Sequence, residues 1–191
     1  MQQSAPPIVQ PGAPGEPSRV LDRKTAENLT SPGHTAADVA FMQGMIGHHA
    51  QAVEMVELLK TRTNSDGMRK LAERIAVSQT DEMKMMREWL EARGAAAPGE
   101  HAHHAPGARM PGMLTPEEMA KLAAARGRAF DALFLESMIR HHEGALIMVR
   151  DLYSTPAAGQ ESEIYTFASD VVADQRMEIA RMSAMLKELQ K

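Results

Sequence analysis

Six residues of the chain, Phe41, Met45, His48, Ala52, Met55 and Leu59, return 93 positions later as Phe134, Met138, His141, Ala145, Met148 and Leu152. The spacing of four, three, four, three and four puts all six on one face of a helix in each copy. A neighbouring row reads Met42, Ile46, His49, Val53, Val56 in the first copy and Leu135, Ile139, His142, Leu146, Val149 in the second. Both histidines of each His-His pair therefore border an apolar stripe, and imidazole nitrogen stands where a core ordinarily takes carbon. The chain must fold as a duplicated helical unit that tolerates, or uses, polar groups inside.

Start and stop signals divide the rest. Thr35, with Asp38 three residues on, opens a helix that runs to about Thr61, and the cluster Thr61 to Gly67 turns the chain. A second helix runs from about Asp66 to Arg93. Gly94 to Gly112 is a linker of Ala, Pro, Gly and His. Thr115-Pro116-Glu117-Glu118 combines a capping threonine, proline in the first turn and glutamate three residues after the cap. That helix pauses near Gly127 before the second repeat helix, about 128 to 154, and a loop over Thr155 to Gln160 leads to a last helix from about Glu161 to Leu189. Residues 1–34 are rich in Pro, Gly, Gln and Ser, the composition of a disordered tail or tether.

Helices of this length are about 40 Å long, and loops of a few residues force each pair antiparallel. The expected fold is all-α: a four-helix bundle over residues 35–191, built from a hairpin at 35–93, a His/Met linker at 94–114 and a duplicated hairpin at 115–191. An extended coiled coil is the competing arrangement, disfavoured by the short turns.

With 191 residues, 43% of them hydrophobic, the chain has material for one domain with a real core. Its net charge of -4 and mixed signs leave no basic surface for nucleic acid. No stretch approaches the roughly 18 uninterrupted apolar residues of a membrane span. Cysteine is absent, whereas methionine occurs sixteen times, so thioethers are the only soft ligands. Met and His persist as ligands in an oxidising compartment where thiolates become disulfides, which favours an extracytoplasmic address. The N-terminal segment lacks the pattern of a signal peptide and reads either as a processed secretory N-terminus behind an initiator Met or as a cytosolic tail.

Antiparallel pairing predicts which residues meet. Positions 48 and 79 are equidistant from the first turn, and 141 and 175 from the second, so Gln79 and Gln175 should lie level with the histidine pairs. The partner helices repeat as well, with Glu82 matching Glu178 and Met86 matching Met182 at an offset of 96. One layer halfway along the bundle should collect His48, His49, His141, His142, Gln79, Gln175, Glu82 and Glu178, sandwiched between Met45, Met55, Met138, Met148, Met86 and Met182.

Methionine on a helical stripe is most often core filler. Histidine is different: a buried imidazole left unpaired costs on the order of 1 to 3 kcal/mol, and one paired with Glu only recovers that loss, where leucine would stabilise outright. The scaffold alternative is a satisfied polar network in which His48 and His141 bond Glu82, Glu178 or each other and set helix register. Imidazole and thioether without thiolate suit copper, Cu(I) above all and Cu(II) as well. A di-iron bundle needs two Glu-x-x-His motifs, and the helices contain none. The linker adds His101, His103, His104, Met110 and Met113 as a second candidate cluster for acquiring or handing over a soft ion, possible also as unselected low-complexity sequence. Arg140, Glu143 and Arg87 read as solvated or ion-paired, and Trp89 as core.

The doubled Met-Ile-x-His-His, at Met45-Ile46-x-His48-His49 and Met138-Ile139-x-His141-His142, joins the Met110-Pro111-Gly112-Met113 lead-in and the Gln79-x2-Glu82 and Gln175-x2-Glu178 helices. Together, over about residues 35 to 188, they resemble the bacterial family known as domain of unknown function 305. The resemblance implies a ferritin-like four-helix bundle and, since the family includes periplasmic copper-binding proteins linked to copper resistance, the same ion and location here. The first copy has Gly47 and Gln51 where the second has Arg140 and Gly144, so the two half-sites differ.

The resulting expectation is a non-enzymatic copper binder that sequesters copper or passes it to a delivery partner. Two other readings compete with it: a metal-dependent redox enzyme on the same bundle, and a metal-free structural bundle.

Overall fold

The computed structural model of the protein describes residues 6–10, 17–27, 32–99 and 110–191. The chain divides after Pro32 into two units. In the first, β1 (Ile8–Gln10) pairs antiparallel with β2 (Arg19–Leu21), with Val9 opposite Val20, and a short helix α1 (Arg23–Glu27) follows. Composition alone predicts no regular structure there, but Ile8, Val9 and Val20 supply the β-branched residues that a short ladder favours.

The second unit carries α2 (Ala36–Arg62), α3 (Asp66–Ala92), α4 (Pro116–Ala124), α5 (Gly127–Tyr153) and α6 (Ser162–Leu189). The boundaries follow from caps. Thr35 and Asp38 form a reciprocal capping box, as do Thr115 and Glu118, with Pro116 in the first turn of α4. Asp38 does more: its second carboxylate oxygen accepts from the Gly159 backbone N–H at 2.7 Å, which ties the start of α2 to the α5–α6 loop. Ser65 caps α3 and Glu161 caps α6.

α2 packs against α3, α5 against α6, and α2 against α5, so the repeat helices form the central pair. That explains why α2 buries the unbroken run Met45, Ile46, Gly47, His48, His49 rather than a single stripe: it has neighbours on two sides. Between α3 and α6 lies a cleft of about 420 Å³ lined by Glu73, Val77, Ser78, Asp174, Met177 and Glu178, so the bundle is more open on that side than four evenly packed helices would be.

The core is split in two. One apolar cluster gathers Phe41, Met45, Met86, Trp89, Ala145 and Phe167, among others; the other gathers Ala52, Met55, Leu71, Phe134, Met138 and Met182. Between them, on all four long helices, sit the buried polar residues His48, His49, Gln79, His141, His142, Gln175 and Glu178. No described helix is long and apolar enough to cross a membrane.

Candidate metal centre

The four imidazoles turn inward at one level. His48 and His141, from the two central helices, face each other with ring centroids 3.8 Å apart and planes at 39°. His49 lies 6.5 Å from His48 and His142 lies 6.3 Å from His141, centroid to centroid. Each outer imidazole is held by a glutamate of its own hairpin: His49 Nε2 lies 2.6 Å from Glu82 Oε2, and His142 Nε2 lies 2.6 Å from Glu178 Oε2. Glu82 also accepts from Ser78 Oγ at 2.9 Å. In each hairpin the engaged glutamate is one helical turn beyond the glutamine that equidistance from the turn picks out. The scaffold network that sequence allows thus forms only in part: the glutamates bond the second histidine of each pair, while the rings of the first histidines lie against each other with His48 Nδ1 and His141 Nε2 unpartnered.

A five-residue strap, Met110 to Leu114, crosses this layer. The Pro111 carbonyl lies 2.9 Å from His48 Nε2. Gln51 reaches the Leu114 backbone with both ends of its amide, donating Nε2–H to the carbonyl at 3.0 Å and accepting the N–H at 2.7 Å. On the other side the strap lies against Gly144, where a Cβ would come within 1.9 Å of the Pro111 oxygen, and Gly112 takes a positive φ of 78° to make that approach.

Proton positions follow from the partners. A carbonyl and a carboxylate only accept, so His48, His49 and His142 donate from Nε2. Nδ1 of each of the three is buried without a partner, as are His141 Nε2 and the amide oxygens Gln79 Oε1 and Gln175 Oε1. Burial, reinforced by the neighbouring His49, drives the His48 imidazole down to about 3 against the opposing pull of the Pro111 carbonyl. His141 is likewise held well below its ordinary value, by burial and then by His48, His142 and His49. Both rings are neutral at pH 7, the form that binds metals. Burial pushes the Glu82 carboxyl up, but the hydrogen bond and charge of His49 outweigh it and hold the group below its usual value.

Four buried imidazoles with one unpartnered nitrogen each, flanked by thioethers, offer the nitrogen and sulfur donors that a soft ion takes. Among the described residues no three His, Asp or Glu side chains converge as a preformed set, so neither the imidazoles nor the carboxylates form a ready cage for an ion. Met45 and Met86 lie in the apolar cluster on one side of the layer, with Met148 packed at its edge, and Met55, Met138 and Met182 in the cluster on the other. Met113 is buried at the strap and Met110 half-buried beside Gly44. His101, His103 and His104 lie outside the described residues. Trp89 is core, its indole donating to Glu161 at 3.3 Å, and Arg140 pairs with Glu118 at 2.7 Å.

The strap contacts escaped sequence reasoning, although their signal was present: Gln51 and Gly144 are where the two copies disagree.

The profile of the family described as Domain of unknown function (DUF305) matches residues 38–186. Among solved structures, a DUF305 fragment from Deinococcus radiodurans is 32% identical with a TM-score of 0.71, covering 82% of this chain and 99% of that one. A DUF305 protein of Streptomyces coelicolor provisionally described as secreted is also 32% identical, with a TM-score of 0.68 over 81% of this chain and 94% of its own. CopM in its Cu(II)-bound form is 26% identical, with a TM-score of 0.63 over 79% of this chain and 96% of that one, and its Cu(I)-bound form is similar at 25% and 0.62. No curated protein matches.

Proposed function

This chain belongs to the DUF305 family, and from that membership we propose that it is a non-enzymatic copper-binding protein of the periplasm or another extracytoplasmic compartment, holding copper in the histidine layer for sequestration or transfer. The observation that carries this reading is the set of four buried imidazoles, each with one nitrogen that no protein group satisfies. Scaffold alone gives no reason for them, since each unpaired polar atom costs about 1 to 3 kcal/mol that leucine would avoid. The likeness to CopM, crystallised with Cu(II) and with Cu(I), supports copper as the ion.

Within this reading His49 and His142 offer Nδ1 while Glu82 and Glu178 orient them through Nε2, the arrangement in which a carboxylate fixes the ring and raises the basicity of a ligating histidine. His48 and His141 add a second pair of donors between them, and the thioethers on either side supply the soft ligands that favour Cu(I). The absence of cysteine and the abundance of methionine support an oxidising compartment.

Stoichiometric Cu(I) titration against a competing chelator tests the proposal. The variant carrying His48→Leu, His49→Leu, His141→Leu and His142→Leu is expected to lose the tight site while keeping its helical circular dichroism. Unchanged affinity in that variant would refute it.

A further inference from the structure

Three of the four seams between the long helices are closed, and the fourth is open. α2 packs on α3, α5 on α6 and α2 on α5, whereas α3 and α6 scarcely touch each other. The strap crosses between α2 and α5, held by Gln51 on one helix and Gly144 on the other. No described helix of that unit spans α3 and α6 in the same way.

The open seam is also where the helical unit shows its apolar side chains. Val77, Met85 and Met177 are 63%, 44% and 63% exposed, and among the described residues of that unit the other large hydrophobics so exposed are Tyr153 and Tyr165, which carry hydroxyls. Val77 and Met177 face the cleft of about 420 Å³ together with Glu73, Asp174 and Glu178, and Arg74 alone among its lining residues is cationic. Met85 stands eight residues on from Val77, two helical turns or about 12 Å along α3. It lines a second cleft of about 330 Å³ with Glu88, Glu163 and Phe167, where Arg93 is already paired with Glu161 and Glu163. Carboxylates crowd the first cleft: burial pushes the Asp174 carboxyl up, and the charges of Glu82, Glu178 and Asp170 push it further. The seam is thus apolar in two places two turns apart, with acid around them.

We propose that the α3–α6 seam is a docking groove for an amphipathic helix of a partner protein, one that presents apolar residues two turns apart to Val77, Met177 and Met85 and flanks them with lysine or arginine. Apolar residues seated in a groove supply the affinity of such a helix, and the basic flank, meeting Glu73 and Asp174, sets its register and speeds encounter. Charge chooses between occupants. A second copy of this chain would bring the same carboxylates face to face, and an anionic lipid surface would meet the same repulsion. The docked helix would lie over Glu178 and over Ser78, which donates to Glu82 at 2.9 Å, and so against both glutamates that hold the outer imidazoles. The groove itself does not depend on the copper reading.

The test uses the full chain with methyl-13C methionine and synthetic peptides of about 18 residues as probes: a Leu/Lys helix with leucine on one face, a peptide of the same composition with the two residues interspersed, and a Leu/Glu helix. The segregated Leu/Lys helix is expected to shift the Met85 and Met177 methyl resonances and to bind at least tenfold tighter than either of the others. V77S/M177S removes the apolar contacts and E73Q/D174N removes charge, and none of these four side chains is buried, so both variants should keep their helical circular dichroism. Each is expected to weaken the Leu/Lys helix at least fivefold. Equal binding by the interspersed or the Leu/Glu peptide, unmoved Met85 and Met177 methyls, or full affinity in either variant overturns the groove. So does a wild-type chain that sediments as a dimer which V77S/M177S dissolves, because a second copy then fills the seam. None of these readouts involves a metal ion.

Discussion

Gln51 and Gly144, equivalent positions in the two copies of the repeat, hold one strap from opposite sides by opposite means. Gln51 acts as a surrogate backbone, its amide making both hydrogen bonds that Leu114 would otherwise make in a ladder. Gly144 contributes only its lack of a side chain, letting the Pro111 carbonyl come where a Cβ would stand. A segment that crosses near the twofold relation between repeats cannot meet the same residue twice, so the duplication diverged here. The divergence reaches the histidines: His48 Nε2 is bonded by the strap, whereas His141 Nε2 has no partner.

Gly144→Ala should therefore destabilise. Its Cβ would meet the Pro111 oxygen at 1.9 Å, backbone that cannot step aside without moving the strap. Overpacking of this kind costs about 1 to 3 kcal/mol, visible as a lower urea midpoint. Gly44→Ala is the control: its neighbours are the ends of Met110 and Met148, which yield, and the gain in helix propensity should leave stability equal or higher.

Gln51→Leu keeps the apolar volume but strands the buried N–H and C=O of Leu114. Each buried group left unpaired costs about 1 to 3 kcal/mol, so a loss near 3 kcal/mol is expected by chemical denaturation. Protection of the Leu114 amide against hydrogen exchange should fall in the same variant.

How far these features were legible follows from what kind of interaction each is. Helix ends at Thr35, Thr115 and Glu161 are local, written in a few adjacent residues, and the structure places them within a residue or so of where the sequence does. The inward histidine layer was legible because periodicity fixes which face a residue occupies. The choice of Glu82 for His49 rather than for His48 was not, since it turns on rotation of neighbouring helices by a fraction of a turn. The strap and the tie from Asp38 to Gly159 join residues 63 and 121 positions apart through single backbone atoms, which leave no periodic trace.

The metal-free protein should lose stability as pH falls below 6.5. His48 titrates at about 3 when folded against an ordinary 6.5, so between those values the unfolded chain takes up a proton that the folded one refuses. Stability from this source is whole above pH 6.5 and drains as pH falls toward 3, at up to about 1.4 kcal/mol per pH unit for each such group. His141 shifts the same way and adds to the slope. Urea midpoints at pH 7 and pH 5 in the presence of a chelator measure it, and H48L/H141L should flatten the difference. The comparison stops at pH 5 because Glu82, held below its ordinary 4.5, contributes its own loss further down.

The repeat offers a matched pair of acids to test the loop tie. Asp38 and Asp131 occupy equivalent positions and both are buried, but Asp38 accepts from Thr35 N at 2.6 Å and Gly159 N at 2.7 Å, whereas one oxygen of Asp131 has no partner. Asp38→Ala should lower stability by about 2 kcal/mol, through the lost cap and the unpaired Gly159 N–H. Asp131→Asn should be close to neutral in the same melt.

Glu82 and Glu178 separate orientation from ligation. If they act on copper by fixing the rings of His49 and His142, then Glu82→Gln with Glu178→Gln keeps an acceptor for each Nε2–H and the same tautomer but removes the charge that makes each imidazole a stronger donor. Cu(I) affinity should then fall about tenfold or more, with ion count unchanged and the metal-free protein altered in stability by less than about 1 kcal/mol. If instead the carboxylates bind the ion directly, the double amide variant loses a ligand set and binds fewer ions. If the pairs only set helix register, affinity stays as it is while the urea midpoint moves. Affinity, stoichiometry and stability measured on the one variant therefore assign the glutamates to a single role.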